Sequence, residues 1–330
     1  MASKVLHFDS RDTFGVGIVT DGKKILANVK DSYTTEQGGI IPSKAMEHHV
    51  SCFDFVISSA LKKAKISIHD IDLIAFSQGP GIGHTLRVGC MAARTISSVA
   101  KKPLIGVNHC ISHLEIGSML TASKNPVLLY VSGANTQIIS YEKGRYRILG
   151  ESLDGGLGNF LDTLARELGF GFPGGPKIAE LAENGRNLIE LPYVIKGMDI
   201  SLGGILTNAK LKIKSGKYSK EDICYSVQET VFAMLVEAAE RAMSHTGKNE
   251  LLLGGGVACN KRLRNMCTSM CKQRKAKCYC PENEFCVDNG VQIAWLGILM
   301  NKAGMVTKLN DAVMRPYERV DDIEVQWKPK

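Results

Sequence analysis

The chain lacks any apolar run near the ~20 residues that span a bilayer. Its opening, Met1-Ala2-Ser3-Lys4-Val5, lacks the long apolar core of a secretory leader. These absences predict a cytoplasmic protein with no membrane partner. Aromatic residues are scarce, 6% of the chain. Few of them interleave its basic runs, which argues against a base-stacking platform for single-stranded nucleic acid. No C-x-x-C pair occurs, although five of the 10 cysteines crowd together as Cys267, Cys271, Cys278, Cys280 and Cys286. Without the zinc-ribbon spacing, buried free thiols in a reducing compartment are the expectation. No low-complexity linker divides the chain.

What is present is a globular composition, 44% hydrophobic and 22% charged over 330 residues, enough for one large core or two ordinary domains. The formal charge is +8. Basic residues concentrate at Lys210, Lys212, Lys214, Lys217 and Lys220, and again at Lys261, Arg262, Arg264, Lys272, Arg274, Lys275 and Lys277. A polyanionic partner or an ordinary solvated face are both compatible with such runs.

Hydrophobic patterning predicts strands at 4–9, 15–19 and 25–29, with Asp21-Gly22 turning the second into the third. An amphipathic helix is expected over Glu47–Lys65, with Val50, Phe53, Val56, Ile57 and Leu61 at helical spacing. A buried strand at 72–76 runs into Gln78-Gly79-Pro80-Gly81-Ile82-Gly83 and a helix through Val99. Strand 103–107, a helix from His109 and strand Val127–Ser132 complete the first half. The second half repeats the plan: a strand, the polar turn Gly133-Ala134-Asn135-Thr136-Gln137, and strands at 138–141 and 146–149. A helical region at 157–185 follows, then helix 221–246, strand 251–253, helix 258–273 and a last helix near 287–303. Two copies of one plan suggest a duplicated α/β protein with a cleft between the copies, its ligand beyond the carboxyl ends of the strands.

The segment Gly106-Val107-Asn108-His109-Cys110-Ile111-Ser112-His113 sets two histidines four apart, one above the other if helical. That spacing lets both imidazoles share one metal ion, with further ligands from elsewhere, or it marks capping histidines at a helix start. Asp288, just before the last helix, sits where a carboxylate is most often an N-cap, with a third metal ligand the alternative if the fold brings it over the histidines. Asp9, Asp154 and Asp162 are the other carboxylates at element ends. Two glycine turns, Ser132-Gly133-Ala134-Asn135 and Gly254-Gly255-Gly256 with Asn260, can bring backbone N–H groups close to phosphate. Neither is a Walker or dinucleotide fingerprint. Their matched places in the two halves are the pattern of a nucleotide held between lobes.

Several segments together are specific: Gln78-Gly79-Pro80-Gly81, Asn108-His109-x-x-x-His113, Tyr130-Val131-Ser132-Gly133, Asp154-x-x-x-Gly158-Asn159-x-x-Asp162, Pro173-Gly174-Gly175-Pro176, Leu191-Pro192-Tyr193, Lys196-Gly197-Met198-Asp199 and Gly255-Gly256-Val257-Ala258-x-Asn260. In this order, and over nearly the whole chain, they resemble the universal tRNA threonylcarbamoyladenosine transferase family. The likeness is to its archaeal and eukaryotic branch, the catalytic subunit of the KEOPS complex, once labelled sialoglycoprotein endopeptidases.

The resemblance implies the duplicated fold of actin, the sugar kinases and the heat-shock chaperone ATPases (ASKHA), two lobes around a nucleotide cleft. Residues 1–125 would form the N-terminal lobe, and 126–330 the C-terminal lobe with a helical insertion at about 157–220. It implies one metal ion at His109, His113, Tyr130 and Asp288. A tyrosine oxygen would favour iron, with zinc the alternative. It also implies an ATP- or AMP-type nucleotide against Tyr130, Val131, Ser132, Gly133, Ala134, Asp162, Gly175, Ala179 and Asn260. The implied reaction moves the threonylcarbamoyl group of threonylcarbamoyl-AMP to the exocyclic amine of the adenine 3′ of the anticodon in ANN-decoding tRNAs. Asp9 is the matched general-base candidate. The implied partners are tRNA, a RIO-like small kinase, a dimerising subunit and a kinase activator, and in some relatives that kinase is fused at the C-terminus.

The sequence departs from the family pattern at Asp9, where the usual glutamate is one methylene longer, and at Ser112, Ala134 and Ala179, with Glu180 next to the last. Ser201-Leu202-Gly203-Gly204-Ile205 also differs from the usual Ser-Phe-Ser-Gly-Leu. These changes are expected to touch rate and nucleotide affinity more than fold, and they leave a nucleotide-dependent scaffold as the alternative reading. A metalloprotease fits less well, because no glutamate follows His109 to serve as general base.

Overall fold

The computed structural model describes residues 4–10, 13–36 and 39–328, with residues 7–10 described by their backbone only. Strands β1 (Lys4–Ser10), β2 (Thr13–Thr20) and β3 (Ile25–Ser32) form an antiparallel meander. Helix α1 (Pro42–Ala64) follows, then β4 (Leu73–Gly79), α2 (Gly83–Ala100), β5 (Leu104–Asn108) and α3 (His109–Leu120). β4 lies parallel to β1, and β5 parallel to β4, which gives a five-stranded sheet in the order β3-β2-β1-β4-β5.

The second half builds the same sheet again. β6 (Val127–Val131), β7 (Thr136–Glu142) and β8 (Arg145–Glu151) are the meander. The helices α4 (Leu157–Glu167) and α5 (Gly175–Asn184) come next, then the short hairpin of β9 (Ile195–Lys196) and β10 (Asp199–Ile200). Helices α6 (Gly203–Ser215) and α7 (Lys220–Thr246) lead to β11 (Glu250–Gly254), α8 (Lys261–Gln273), β12 (Lys277–Tyr279), α9 (Asn283–Cys286) and α10 (Gly290–Lys302). The order β8-β7-β6-β11-β12 repeats the first sheet strand for strand. The repeat read from the sequence is therefore a real duplication of topology.

Three cores hold the layers together. The outer face of the first sheet packs Leu6, Phe14, Ile18 and Phe76 against Val56 and Ala60 of α1 and Ala93 of α2. The outer face of the second sheet packs Val127, Leu129 and Leu251 against α4–α8, including Leu164, Val231 and Leu235. Between the sheets lies a shared core of Val5, Leu73, Ile105, Leu128 and Leu252, filled by α3 and α10 through Ile111, Leu114, Ile293 and Leu296. α10 lies so close to the first sheet that a β-carbon on Gly290 would stand 2.1 Å from the backbone nitrogen of Gly17. Only glycine on both sides permits that approach. Among the described residues, no helix is long and apolar enough to cross a membrane.

Two local expectations shift. Helix α1 starts at Pro42 rather than Glu47, because proline is well suited to a first helical turn. Its buried face is Ala45, His49, Cys52, Val56 and Ala60, while Val50 is 61% exposed. The apolar stripe thus sits one position round from the one its large residues suggested. The last helix begins at Gly290 because Asn289 caps it, accepting from Gln292 N at 3.1 Å.

Candidate functional site

Helix α3 leaves the end of β5 with no intervening loop, and Asn108 makes that junction. Its Oδ1 accepts from Cys110 N at 3.0 Å and Ile111 N at 3.2 Å, the pattern of an N-cap. Its amide donates to Glu318 Oε2 at 3.0 Å. Burial raises the Glu318 carboxyl above its ordinary range, and the Asn108 contact opposes that shift. Further along, Glu115 is buried and accepts from Tyr146 Oη, from Trp327 Nε1 at 3.2 Å and from Lys328 Nζ at 3.0 Å. These ties fix the rotation of α3, and with it the direction of its histidines.

His109 and His113 are both buried and meet the carboxylate of Asp288. His109 Nε2 lies 3.1 Å and His113 Nε2 3.2 Å from Asp288 Oδ1, and the two nitrogens are 3.3 Å apart. Asp288 is not the cap of α10, which is Asn289, so its carboxylate is left facing the histidines. The ring of Tyr130 stacks against His113 at a centroid distance of 4.8 Å. The structure thus brings all four expected ligand residues together.

The donor set can be tested against a metal ion. Bonds of about 2.0–2.1 Å to nitrogen and oxygen in a tetrahedron imply donor separations of about 3.3 Å. The observed triangle of 3.1, 3.2 and 3.3 Å matches one face of such a polyhedron. Two imidazoles and one carboxylate in a buried pocket are ordinary ligands for zinc or iron. The residues fit.

Gln292 was missed by the sequence reading. Its Nε2 is 3.3 Å from His113 Nε2, while Asn289 Nδ2 donates to its Oε1 at 3.2 Å. In sequence Gln292 is only the polar member of the apolar run from Val291 to Ile298, which marks it as a buried polar residue without naming its partner.

The first glycine turn joins this cluster through β6. Ser132 N donates to Asn135 O at 2.8 Å, and Asn135 Nδ2 reaches Cys110 Sγ at 3.8 Å. Ser132 Oγ is engaged within the turn, 3.1 Å from Asn135 O, so the accessible part of the turn is Gly133 and Ala134, both exposed. The N-terminus of α4 docks on it: Gly158 N donates to Ser132 O at 3.0 Å and Asn159 N to Gly133 O at 2.9 Å. On the other side stands Gly255, with φ +89°. A β-carbon there would lie 2.3 Å from Val131 O.

Asp162 on α4 accepts from Gly174 N at 2.7 Å and so holds the turn that starts α5 at Gly175. Burial pushes its carboxyl above the usual range, opposed by the Gly174 and Gly175 N–H groups. Ala179 sits one turn further along α5, half-buried, and neighbouring Glu180 pairs with Lys177 at 2.8 Å. Asn260 caps α8, accepting from Arg262 N at 2.8 Å and Leu263 N at 3.3 Å, and donates to Gln228 Oε1 at 2.9 Å. Its carbonyl is therefore engaged by the helix, leaving one amide N–H for anything else. Asp154 caps α6, accepting from Leu202 N at 2.6 Å and Gly203 N at 3.0 Å, and the Gly203 N–H leads the groups that lower its carboxyl. Ser112, the unusual residue between the histidines, is buried and donates to His109 O at 2.6 Å. The side chain of Asp9 lies outside the described residues; its backbone pairs with Gly15.

The basic runs are partly engaged. Arg262 makes a forked pair with Glu229 at 2.7 and 2.6 Å, Arg274 meets Glu240 at 3.3 Å, and Lys210 meets Glu167 at 2.8 Å. Lys261, Lys272, Lys275 and Lys277 remain as the exposed basic face of α8 and its end. The clustered cysteines are free thiols, with Cys267, Cys271 and Cys286 buried and Cys278 and Cys280 half-buried.

Comparison with known proteins follows the same line. Residues 24–295 match the family model described as TsaD, tRNA N6-adenosine threonylcarbamoyltransferase. A tRNA N6-adenosine threonylcarbamoyltransferase of Thermococcus sibiricus is 53% identical over 315 residues, covering 96% of this chain and 97% of that protein. A probable bifunctional tRNA threonylcarbamoyladenosine biosynthesis protein of Thermoplasma acidophilum is 50% identical, over 96% of this chain and 59% of that longer protein. HypF of T. kodakarensis superposes with a TM-score of 0.65 at 14% identity, over 91% of this chain and 48% of that one. Component A of the Acidaminococcus fermentans (R)-2-hydroxyglutaryl-CoA dehydratase gives 0.56 at 14% identity, over 92% and 100%. At such low identity these two structures speak for the fold, a duplicated two-lobed ASKHA architecture. The chain belongs to the tRNA N6-adenosine threonylcarbamoyltransferase family.

Proposed function

We propose that this protein transfers the threonylcarbamoyl group from threonylcarbamoyl-AMP to the exocyclic amine of the adenine 3′ of the anticodon in ANN-decoding tRNAs. The observation that carries the reading is the convergence of His109, His113 and Asp288 within 3.3 Å of one another, beside Tyr130 and the Ser132–Asn135 turn. His109, His113, Tyr130 and Asp288 would hold one metal ion, iron or zinc. Such an ion, when bound, neutralises phosphate charge and polarises the acyl oxygen.

The chain's own residues do the rest. The exposed backbone of Gly133 and Ala134 offers fixed N–H dipoles to an adenylate, with no reorganisation needed as charge develops. Asp162 positions the Gly174–Gly175 turn, the second wall of the nucleotide site, where Ala179 leaves room. Asn260 keeps one N–H for the same ligand. An adenine amine is a weak nucleophile, so the acyl group has to arrive on a good leaving group, and AMP is one. Asp9 is the candidate to accept the amine proton.

Residues 1–125 would form one lobe and 126–330 the other, the latter with an insertion at 157–220 and its final helix packed back on the first sheet. The exposed lysines of α8 are the candidate tRNA face. A RIO-like kinase, a dimerising subunit and a kinase activator, as in KEOPS, are the proposed partners, and a cytoplasmic site of action goes with the tRNA substrate.

The test supplies the protein with threonylcarbamoyl-AMP, an ANN-decoding tRNA and the partner subunits, followed by nucleoside analysis. Modified adenosine is expected, together with about one tightly bound iron or zinc. Both should disappear in His109→Ala/His113→Ala. Modification that persists at the wild-type rate in the metal-free double variant would overturn the reading.

A further inference from the structure

A second set of metal-type donors lies on the outer face of the first sheet, where nothing in the reaction above uses it. His48 and Cys52 are four apart on α1 and so share one face of the helix. Asp31 reaches the same place from β3. A carboxylate oxygen of Asp31, a ring nitrogen of His48 and the sulfur of Cys52 all lie within 4.8 Å of one another. His48 Nε2 is 3.0 Å from Asp31 Oδ1, and its Nδ1 is 3.3 Å from Nδ1 of the buried His49.

We propose that Asp31, His48 and Cys52 form a second metal site, for a divalent cation of the zinc class. The donor set, one nitrogen, one oxygen and one sulfur, suits that class better than magnesium or calcium, which take oxygen ligands. The Cys52 thiol is pushed up to about 11, first by burial and then by the neighbouring Asp31 carboxylate. The thiol is therefore protonated until an ion takes the place of its proton on sulfur. Ligation releases the Cys52 proton to solvent and leaves thiolate on the ion. His49 completes the arrangement. With His48 bound through Nε2, its proton sits on Nδ1 and faces His49 Nδ1, the outer contact that sets tautomer and ring orientation in metal-bound histidines.

Zinc bonds of about 2.0–2.3 Å imply donor separations of about 3.3–3.7 Å, inside the 4.8 Å within which the three donors lie. The Asp31 side chain is 44% exposed. That open side also leaves room for water as a fourth ligand. Beyond the end of β3 the chain runs on to Thr35, which exchanges backbone hydrogen bonds with Phe172 at 3.2 and 3.0 Å. An ion here therefore stiffens the connection that reaches the Gly174–Gly175 turn.

The test uses the full chain carrying His109→Ala/His113→Ala, stripped with chelator under reductant and titrated with cobalt(II) and zinc(II). One equivalent of cobalt with a sulfur-to-metal charge-transfer band is expected. Cys52→Ser should abolish the band, and Asp31→Asn should weaken binding at least about tenfold. A background protein with no thiolate band, or a band that survives Cys52→Ser, overturns the proposal; the second outcome assigns the cobalt to the cysteines between Cys259 and Cys286. Should circular dichroism show Cys52→Ser unfolded, Asp31→Asn and His48→Gln decide the matter, and unchanged cobalt affinity in both folded variants overturns it.

Discussion

Gly255→Ala is the most discriminating single change outside the candidate metal site, because its effect can be worked out from two separate contributions. The first is conformational. Gly255 has φ +89° and ψ 159°, a region closed to other residues, and alanine there costs about 1–3 kcal/mol. The second is steric. The new methyl would lie 2.3 Å from Val131 O and 3.0 Å from Ser132 N. Both are backbone atoms at the end of β6, so they cannot swing aside, and forced overpacking of this kind costs about 1–3 kcal/mol. The sum, about 2–6 kcal/mol, is a large part of a typical total stability of about 5–15 kcal/mol. Gly247→Ala is the control. It has φ +69° and ψ 13° at the end of α7, and nothing lies within 4 Å of its would-be methyl. It therefore carries only the left-handed penalty of about 1–2 kcal/mol. Urea midpoints of the two variants, taken side by side, isolate the clash. Gly255→Ala should unfold at clearly lower urea and lose nucleotide affinity, since the displaced atoms carry the Ser132–Asn135 turn. Equal midpoints for the two variants would refute the claim that this glycine is required by close approach.

Asn108→Ala removes the cap of α3, about 1 kcal/mol, and leaves the buried Glu318 without its Asn108 partner, about 1–3 kcal/mol more; a smaller drop in denaturation midpoint than the cap alone predicts would contradict this account. Asp162→Asn tests the raised carboxyl. Because the folded Asp162 holds its proton more tightly than the unfolded chain does, its contribution is most favourable below the unfolded pKa of about 3.9 and is lost as pH rises through the folded value. The variant should therefore gain on the wild type as pH climbs from 4 toward neutrality, and a stability difference flat in pH speaks against the assignment. Lys248→Met breaks a buried group of contacts, Lys248 Nζ to Asn125 Oδ1 at 2.8 Å, Ser140 Oγ at 2.7 Å, Tyr141 O at 2.8 Å and Glu142 Oε1 at 2.9 Å. The expected loss is at the low end of about 3–5 kcal/mol, because Glu142 keeps access to solvent, and calorimetry finding no change would sink it.

The architecture was legible because both of its periodicities are strong. Alternating strands, helical stripes and two similar strand–turn–strand openings lead to the mirrored sheets. The candidate ligand residues were singled out for a different reason: the spacing of His109 and His113 is local, and Asp288 enters through the family pattern. What the sequence hid is long-range. Gln292 touches His113 across 179 positions, and Glu318 holds Asn108 across 210. No pattern in either segment announces its partner. The same distance hid the partners of two residues in the basic runs, since Glu229 and Glu240 meet Arg262 and Arg274 from α7. Polar residues at element ends were ambiguous for a physical reason. A side chain that can bind phosphate can equally cap a helix, and Asn260 and Asp154 are held by α8 and α6.

The duplication also explains why the candidate metal site lies where it does. β5 and β12 occupy the same edge place in the two sheets, and each is followed by a helix that fills the space between them. His109 opens α3, and Asp288 stands two residues before α10. The candidate ligands thus come from equivalent ends of equivalent helices, and two helix N-termini meet there, each with about half a positive charge. Asn108 and Asn289 accept from the first N–H groups of those helices, so the helix ends supply mainly field rather than hydrogen bonds. A cation held in that field needs a carboxylate beside it, which Asp288 provides. With the cation in place the local balance is still positive. Such a place favours a ligand that carries its own negative charge, as an acyl phosphate does, and gives a neutral peptide bond no comparable advantage.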